Sequence, residues 1–382
     1  MVQKHNMDKI KRFLEMTVPV TNCNLKCSYC YIIQHGKRNS SASLFKYSPE
    51  QMGVAISKDR LGGIALINLC GKGETLIPKE MPEIIFQFLK QGHYINITTN
   101  GTLTNVIKKI MDMPAEYLER LIFNFSFHYS ELIKRNLLDN FCESVKLVKE
   151  AGCSYCIKLN LSDEYIEKES EIKDFCRTKF GAFPVVAATR DERNGMSLFT
   201  KFTRDEYISH GKSYNSPLFD YSIKTFMDKK HEYCYAGAWT LWVDMENGLT
   251  KSCMSSEITQ NIFDTSVPIK FKPIAYSCRA PFCVNANIYK TLGTVPDDSI
   301  PTFVELRDRS EAHWFNDRAK AFLSQRLYNN NDIYTGWKKY KSIIRSYYYN
   351  VIYWFSNKKY VQCIPKPIFR VIHNVHNKLR IK

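Results

Sequence analysis

Between Glu15 and about Thr189, apolar runs of five to eight residues alternate six times with helix-length amphipathic stretches. A strand buried on both faces reads as such a run, and a helix packed on one side repeats its apolar residues every three or four positions. The regular exchange of the two patterns predicts an α/β fold built on a parallel sheet or barrel. Strands are expected at 16–20, 64–69, 94–98, 120–127, 155–161 and 184–188, with helices near 49–56, 79–91, 104–111, 130–151 and 164–178. In parallel barrels functional groups gather where strands end, so the residues that follow each run carry weight.

The first run is followed by Cys23, Cys27 and Cys30, a C-x3-C-x2-C spacing in one short loop. Thiolates are the usual ligands of 4Fe-4S clusters, and three of them hold three irons and leave the fourth open to another ligand. The rival is a structural zinc knuckle, but zinc sites typically pair one C-x2-C with a second ligand pair. The spacing, with Tyr29 before the last cysteine, resembles the radical S-adenosylmethionine (radical SAM) superfamily. That resemblance implies an open partial (β/α)6 barrel of the TIM type. It also implies a reduced 4Fe-4S cluster that binds S-adenosylmethionine (SAM), cleavage to a 5'-deoxyadenosyl radical, and hydrogen abstraction from a substrate.

The later strand ends agree with it. The second run leads into Gly71, Lys72, Gly73 and Glu74. Glycines let backbone approach a ligand, and a carboxylate receives an ammonium. The resemblance assigns this segment to the amino group of bound SAM, although Thr75 stands where proline is usual. The third run ends at Asn100, matching the family's Thr-Asn-Gly turn; a plain helix N-cap by Asn100 or Thr102 is the competing reading. The fourth ends at Ser126 and His128, on one face by strand periodicity and expected near the SAM ribose or the substrate. A capping or core histidine is the rival for His128. Lys158 and Asn160 share a face of the fifth strand, which implies a polar interior or an exposed side. Arg190, after the sixth, is expected to face substrate, and Cys70, beside the glycine loop, is the candidate hydrogen-returning thiol.

Further on, Cys234, Cys253, Cys278 and Cys283 flank an Asn247-Gly248 hairpin signal and supply enough thiolates for one fully ligated 4Fe-4S cluster. The pattern resembles the twitch or SPASM auxiliary-cluster modules of radical SAM enzymes; the rival is a zinc ribbon on the same four cysteines. Cys142, Cys153, Cys156, Cys176 and Cys363 are expected to be small core hydrophobes. The expected organisation is a lead-in (1–14), a partial barrel (15–224), a β-hairpin iron-sulfur module (225–299) and a helical, basic aromatic tail (300–382), with a first tail helix over 305–327.

The net charge of +16 (54 Lys and Arg against 38 Asp and Glu) is mostly a tail property. After Asp332 there is no acidic residue, while eleven lysines and arginines interleave with Trp337, Tyr340, Tyr347 and other aromatics. Such a segment suits an anionic membrane surface, ahead of nucleic acid or plain docking. No secretory signal or membrane-spanning stretch is read, so the thirteen cysteines are placed in a reducing cytoplasm, with contact at the inner face of the membrane through the tail. The expected substrate is a small molecule, a sugar or lipid-linked glycan undergoing oxidation or epimerisation. The first alternative is a ribosomal peptide or protein side chain, against which stands the short lead-in before Cys23. A non-catalytic zinc protein that binds nucleic acid is the alternative from another class. An external electron donor such as flavodoxin or ferredoxin completes the expectation.

Overall fold

The structure is a computed structural model and describes residues 8–39, 44–193 and 195–357, without the side chains of Ile352 and 354–357. Cys363 and the cations from Lys358 onward lie outside the described residues. The fold is α/β. Six strands, β1 (Ile10–Val18), β2 (Ile64–Gly71), β3 (Tyr94–Thr99), β4 (Leu121–Ser126), β5 (Ser154–Leu161) and β6 (Val185–Ala188), pair in parallel in chain order. Helices α1 (Pro49–Ala55), α2 (Met81–Lys90), α3 (Thr104–Met111), α4 (Leu138–Glu150) and α5 (Glu169–Phe180) connect them. The sheet extends past β1 by a parallel strand β7 (Thr240–Asp244) and antiparallel β8 (Leu249–Lys251) and β9 (Ile258–Asn261).

The register separates two faces. Leu14 and Met16, Ile67 and Leu69, Ile95 and Ile97, Phe123 and Phe125, and Ile157 and Leu159 lie on one face and are fully buried. The other face carries Glu15, Asn68 and Cys70, Asn96 and Thr98, Asn124 and Ser126, and Lys158 and Asn160. A parallel sheet normally hides both faces in apolar runs. Here one face is polar strand after strand, and the site is built on it.

Several boundaries differ from the sequence reading. β1 begins at Ile10, because Lys11 and Arg12 are held from a distance: the Arg12 guanidinium lies 4.1 Å over the Phe271 ring and donates to Asn331 Oδ1 at 2.8 Å. The expected helix 130–151 is two, split where Asn136 takes φ 54°. The stretch 164–178 likewise divides into Asp163–Ile166 and α5. Of 305–327, only Asp317–Leu323 is α-helical, starting where the Asn316 side chain caps Ala319 N–H. Neither Asn100 nor Thr102 caps α3, whose N-cap is Leu103 without a side-chain bond, because both side chains turn toward the cysteine loop.

His93 joins β2 to α1 inside the core. Its Nδ1 accepts from Ala65 N–H at 3.1 Å and its Nε2–H donates to the Ile56 carbonyl at 2.7 Å. That arrangement fits only the neutral ring, and burial pushes the pKa down to about 4. The unfolded chain binds the proton below about pH 6.5, so stability from this group is lost as pH falls from there toward 4. From pH 7 to pH 5 the loss is about 2 kcal/mol. Urea unfolding at the two pH values should show it as the difference in pH dependence between the natural chain and His93→Gln, which cannot titrate.

Candidate active site

Cys23, Cys27 and Cys30 sit on the loop that leaves β1, with Cys27 buried and the other two half-buried. The loop is held from three sides. Lys26 N–H donates to Glu131 Oε2 at 2.9 Å, and Arg38 reaches the carbonyls of Cys23 and Leu25. Below, Glu74 N–H donates to Asn22 O at 2.8 Å. A Cβ on Gly73 would fall 1.9 Å from that same Asn22 oxygen, and one on Gly71 2.5 Å from Val20. These glycines therefore admit the cysteine loop itself, a close backbone approach that no side chain allows.

Glu74 is buried, and its carboxylate accepts from Thr99 Oγ1 (2.6 Å), Asn100 N–H (2.8 Å) and Leu76 N–H (3.1 Å). Burial pushes its pKa up, against those three donors. About four lone-pair sites exist on a carboxylate, so room for one further donor remains. Asn100 donates through Nδ2 to Asn24 Oδ1 at 2.8 Å and stands 3.7 Å from Cys23 Sγ. Thus the ends of β1, β2 and β3 form one hydrogen-bonded platform under the three cysteines.

Tyr29 is buried, and its hydroxyl meets His128 Nδ1 at 2.7 Å and Tyr165 at 3.0 Å. Burial, with nearby Lys158, lowers the His128 pKa to about 4, so the ring is neutral at neutral pH. Ser126, at the end of β4, is half-buried on the polar face beside Lys158 in register. Cys70 lies within electrostatic reach of Glu15, Lys158 and Glu74, and burial pushes its thiol up to about 11. Arg190 donates to the Val284 carbonyl at 2.9 Å and pairs with Glu192 at 3.3 Å, tying the end of β6 to the Cys283 segment.

Cys234, Cys253, Cys278 and Cys283 line a single cavity of about 70 Å³. Burial, then the neighbouring cysteines, pushes the Cys234 thiol up; Cys253 rises to about 11 and Cys283 to about 12. Among the described residues, no three His, Cys, Asp or Glu side chains are drawn close enough to hold a single metal ion. Cys234, Cys253, Cys278 and Cys283 surround that cavity, and thiols spread around a space suit a cluster whose irons take one thiolate each. Cys23, Cys27 and Cys30 supply three thiols on one loop, the number that leaves one iron of a 4Fe-4S cluster open.

Glu15 was missed by sequence reading. It lies on the polar face of β1, accepts from Asn285 Nδ2 at 3.3 Å, and has Tyr289 beside it. Its Oε2, like Asn124 Oδ1, is buried without a hydrogen-bond partner, and burial raises its pKa. Glu15 is within electrostatic reach of Cys70 on one side and Cys253 on the other. Lys158 is half-buried on the same face, and burial, then the nearby Arg307, lowers its pKa. The available signal was a charged or amide residue in the middle of an apolar strand, repeated at Glu15, Asn68, Asn96, Asn124 and Lys158.

A model of the Radical SAM superfamily matches residues 17–177, the segment holding the cysteine loop, the Glu74 loop and the Asn100 turn. Solved structures similar to the chain include Streptococcus suis SuiB bound to S-adenosylmethionine, with 15% identity, a TM-score of 0.47, and coverage of 70% of this chain and 66% of SuiB. Another is anSMEcpe with bound AdoMet and Cp18Cys peptide, at 15% identity and TM-score 0.47, covering 91% of this chain and 99% of that one. A third is BtrN in complex with AdoMet and 2-DOIA, at 14% identity and TM-score 0.38, covering 78% and 97%. The match to SuiB spans just under two thirds of that protein. No curated protein matches the chain. The matched segment begins at the end of β1, contains β2 to β5 and stops before β6.

Proposed function

We propose that this chain is a radical SAM oxidoreductase or epimerase acting on a polar substrate held against the polar face of its sheet. Cys23, Cys27 and Cys30 are the ligands of the SAM-binding 4Fe-4S cluster; Cys234, Cys253, Cys278 and Cys283 hold one auxiliary 4Fe-4S cluster in a twitch-like module. With SAM bound, the first cluster supplies one-electron cleavage to a 5'-deoxyadenosyl radical, the electron coming from an external donor such as flavodoxin or ferredoxin. Glu74 and Asn100 fix the loop under that cluster, and the Gly71–Glu74 segment takes the methionine amino group. Tyr29, through its hydroxyl on His128 Nδ1, sets the ring so that its other nitrogen faces the site alongside Ser126, toward the ribose or the substrate.

The observation that supports a polar substrate is the polar face itself, where Glu15 Oε2 and Asn124 Oδ1 are buried without a hydrogen-bond partner and the half-buried Lys158 lies on the same side of the sheet. A buried polar atom without a partner costs about 1–3 kcal/mol, which a ligand offering the missing hydrogen bonds removes. Hydroxyl and amine groups of a sugar answer that demand at many positions, so a sugar or glycan leads. A peptide side chain is the second reading, and two of the similar structures carry peptides, the SuiB complex with precursor peptide SuiA and anSMEcpe with Cp18Cys. Arg190, bonded to Glu192 and Val284, acts by holding the wall of the site. Cys70 is the hydrogen-returning thiol if the product is an epimer.

The test is anaerobic incubation of the reconstituted chain with reductant, SAM and candidate sugars or peptides, in deuterated water. Deuterium in an otherwise unchanged product identifies epimerisation through a thiol; an oxidised product without deuterium identifies dehydrogenation. Cys253→Ala is expected to lose product while retaining uncoupled SAM cleavage, because its cysteine group stands apart from the Cys23 loop. Retained product formation would remove the auxiliary role.

A further inference from the structure

The last described helix, α6 (Gly336–Asn357), packs the wrong way round for a core helix. Its inner face carries small polar residues beside Ile343, which packs against the core: Ser342 and Ser346 are buried, and Ser342 meets the Tyr233 hydroxyl. Arg345 donates to the Pro273 carbonyl at 3.0 Å and Asn350 to the Tyr276 carbonyl at 3.3 Å. Its outer face is apolar. Trp337, Tyr340, Ile344, Tyr347 and Val351 follow one another in steps of three and four and are 67, 53, 50, 50 and 51% exposed. Amphipathic helices turn such a stripe inward. Here polar bonds anchor the helix and the stripe is presented to the outside.

We propose that this stripe docks on an anionic lipid bilayer surface, with the helix lying in the interface. The charge around it selects the partner. Lys338, Lys339 and Lys341 stand on the helix beside the stripe, and the chain from Ile333 to Lys382 holds eleven lysines and arginines and no acidic residue. Two copies joined along this stripe would bring those cations together, and coiled-coil seams use aliphatic residues paired by opposite flanking charges. Nucleic acid would answer the charge but leave the stripe without a role. Tyrosine and tryptophan on a basic helix match the interface of an anionic membrane, where an aromatic body sits among acyl chains and its polar tip stays wet. No helix among the described residues is long and apolar enough to cross a membrane. Arg345, Ser346 and Tyr349 of this helix line a cavity with Cys253 and Cys278, whereas none of the stripe residues does, and vesicle binding is read without the radical chemistry.

The experiment is co-sedimentation of the full reconstituted chain with vesicles of phosphatidylglycerol and phosphatidylcholine, against vesicles of phosphatidylcholine alone. Binding is expected to the anionic vesicles, weakened by added salt. The triple variant Ile344→Ser, Tyr347→Ser, Val351→Ser changes only half-exposed side chains and should keep the melting temperature of the natural chain while binding at least about tenfold more weakly. Replacing Lys338, Lys339 and Lys341 by glutamine should weaken the anionic-vesicle binding and leave any residual neutral-vesicle binding in place. The proposal is overturned if anionic vesicles are not bound, or if the triple variant binds them as well as the natural chain. It is also overturned if the chain self-associates through the stripe, or binds a duplex oligonucleotide, in place of vesicles.

Discussion

Cys27→Ala is expected to retain about four of eight irons after anaerobic reconstitution, and to lose SAM cleavage to background. The thiol is buried in the loop after β1, and no other cysteine in that loop is available to replace it. On the proposed function, loss of one ligand removes the cluster that meets SAM, which makes this the largest functional effect anticipated from a single side chain. The contrast with Cys253→Ala is the informative part: one variant should fail before radical formation, the other after it. Iron content and 5'-deoxyadenosine release, measured side by side, separate them.

Glu74→Ala should bring the largest loss of stability. Truncation leaves Thr99 Oγ1, Asn100 N–H and Leu76 N–H, all buried, without their acceptor. Each orphaned group costs about 1–3 kcal/mol, so a loss of about 3–5 kcal/mol is expected after partial relaxation. Glu74→Gln keeps one acceptor oxygen and should lose roughly half as much. Denaturant unfolding of the two variants checks the order; equal stability of Glu74→Ala and the natural chain would mean that the platform is not held by this carboxylate. The same network explains why the family fingerprint spans three loops far apart in sequence: β1, β2 and β3 end on one another.

Much of this was legible in the residues. Apolar runs located the six parallel strands β1 to β6, because a strand hidden in a parallel sheet leaves little choice of side chain. The start of β1 was not legible, since Lys11 and Arg12 look like a solvated lead-in until Phe271, Asn330 and Asn331 are brought over them. The break at Asn136 was equally hidden, because helical periodicity runs on through a residue that takes the left-handed conformation. A third strand, β9, escaped notice because its residues are half-buried or exposed and its pairing with β8 is set by the turn between them. At the site, the cysteine spacing announced itself, whereas Glu15 did not. A lone carboxylate in one strand has no periodic signal; its meaning comes from Asn68 beside it in register and from Asn285, 270 positions away.

The glycine loop carries a different lesson. Gly71 and Gly73 read as ligand-approach residues, and their freedom from side chains is in fact used by the backbone of Asn22 and the side chain of Val20. The sequence motif and its physical reason can thus be separated: the glycines seat the backbone that leads into the three cysteines. Likewise Asn100 serves by binding Asn24 beside Cys23, where a turn or cap was the simpler expectation.

The most direct measurement is the iron and sulfide content of the anaerobically reconstituted full chain, taken together with 5'-deoxyadenosine release on addition of reductant and SAM. A brown protein with about eight irons that releases 5'-deoxyadenosine is the predicted result. A colourless protein that binds zinc in the same cysteines and leaves SAM intact would contradict it.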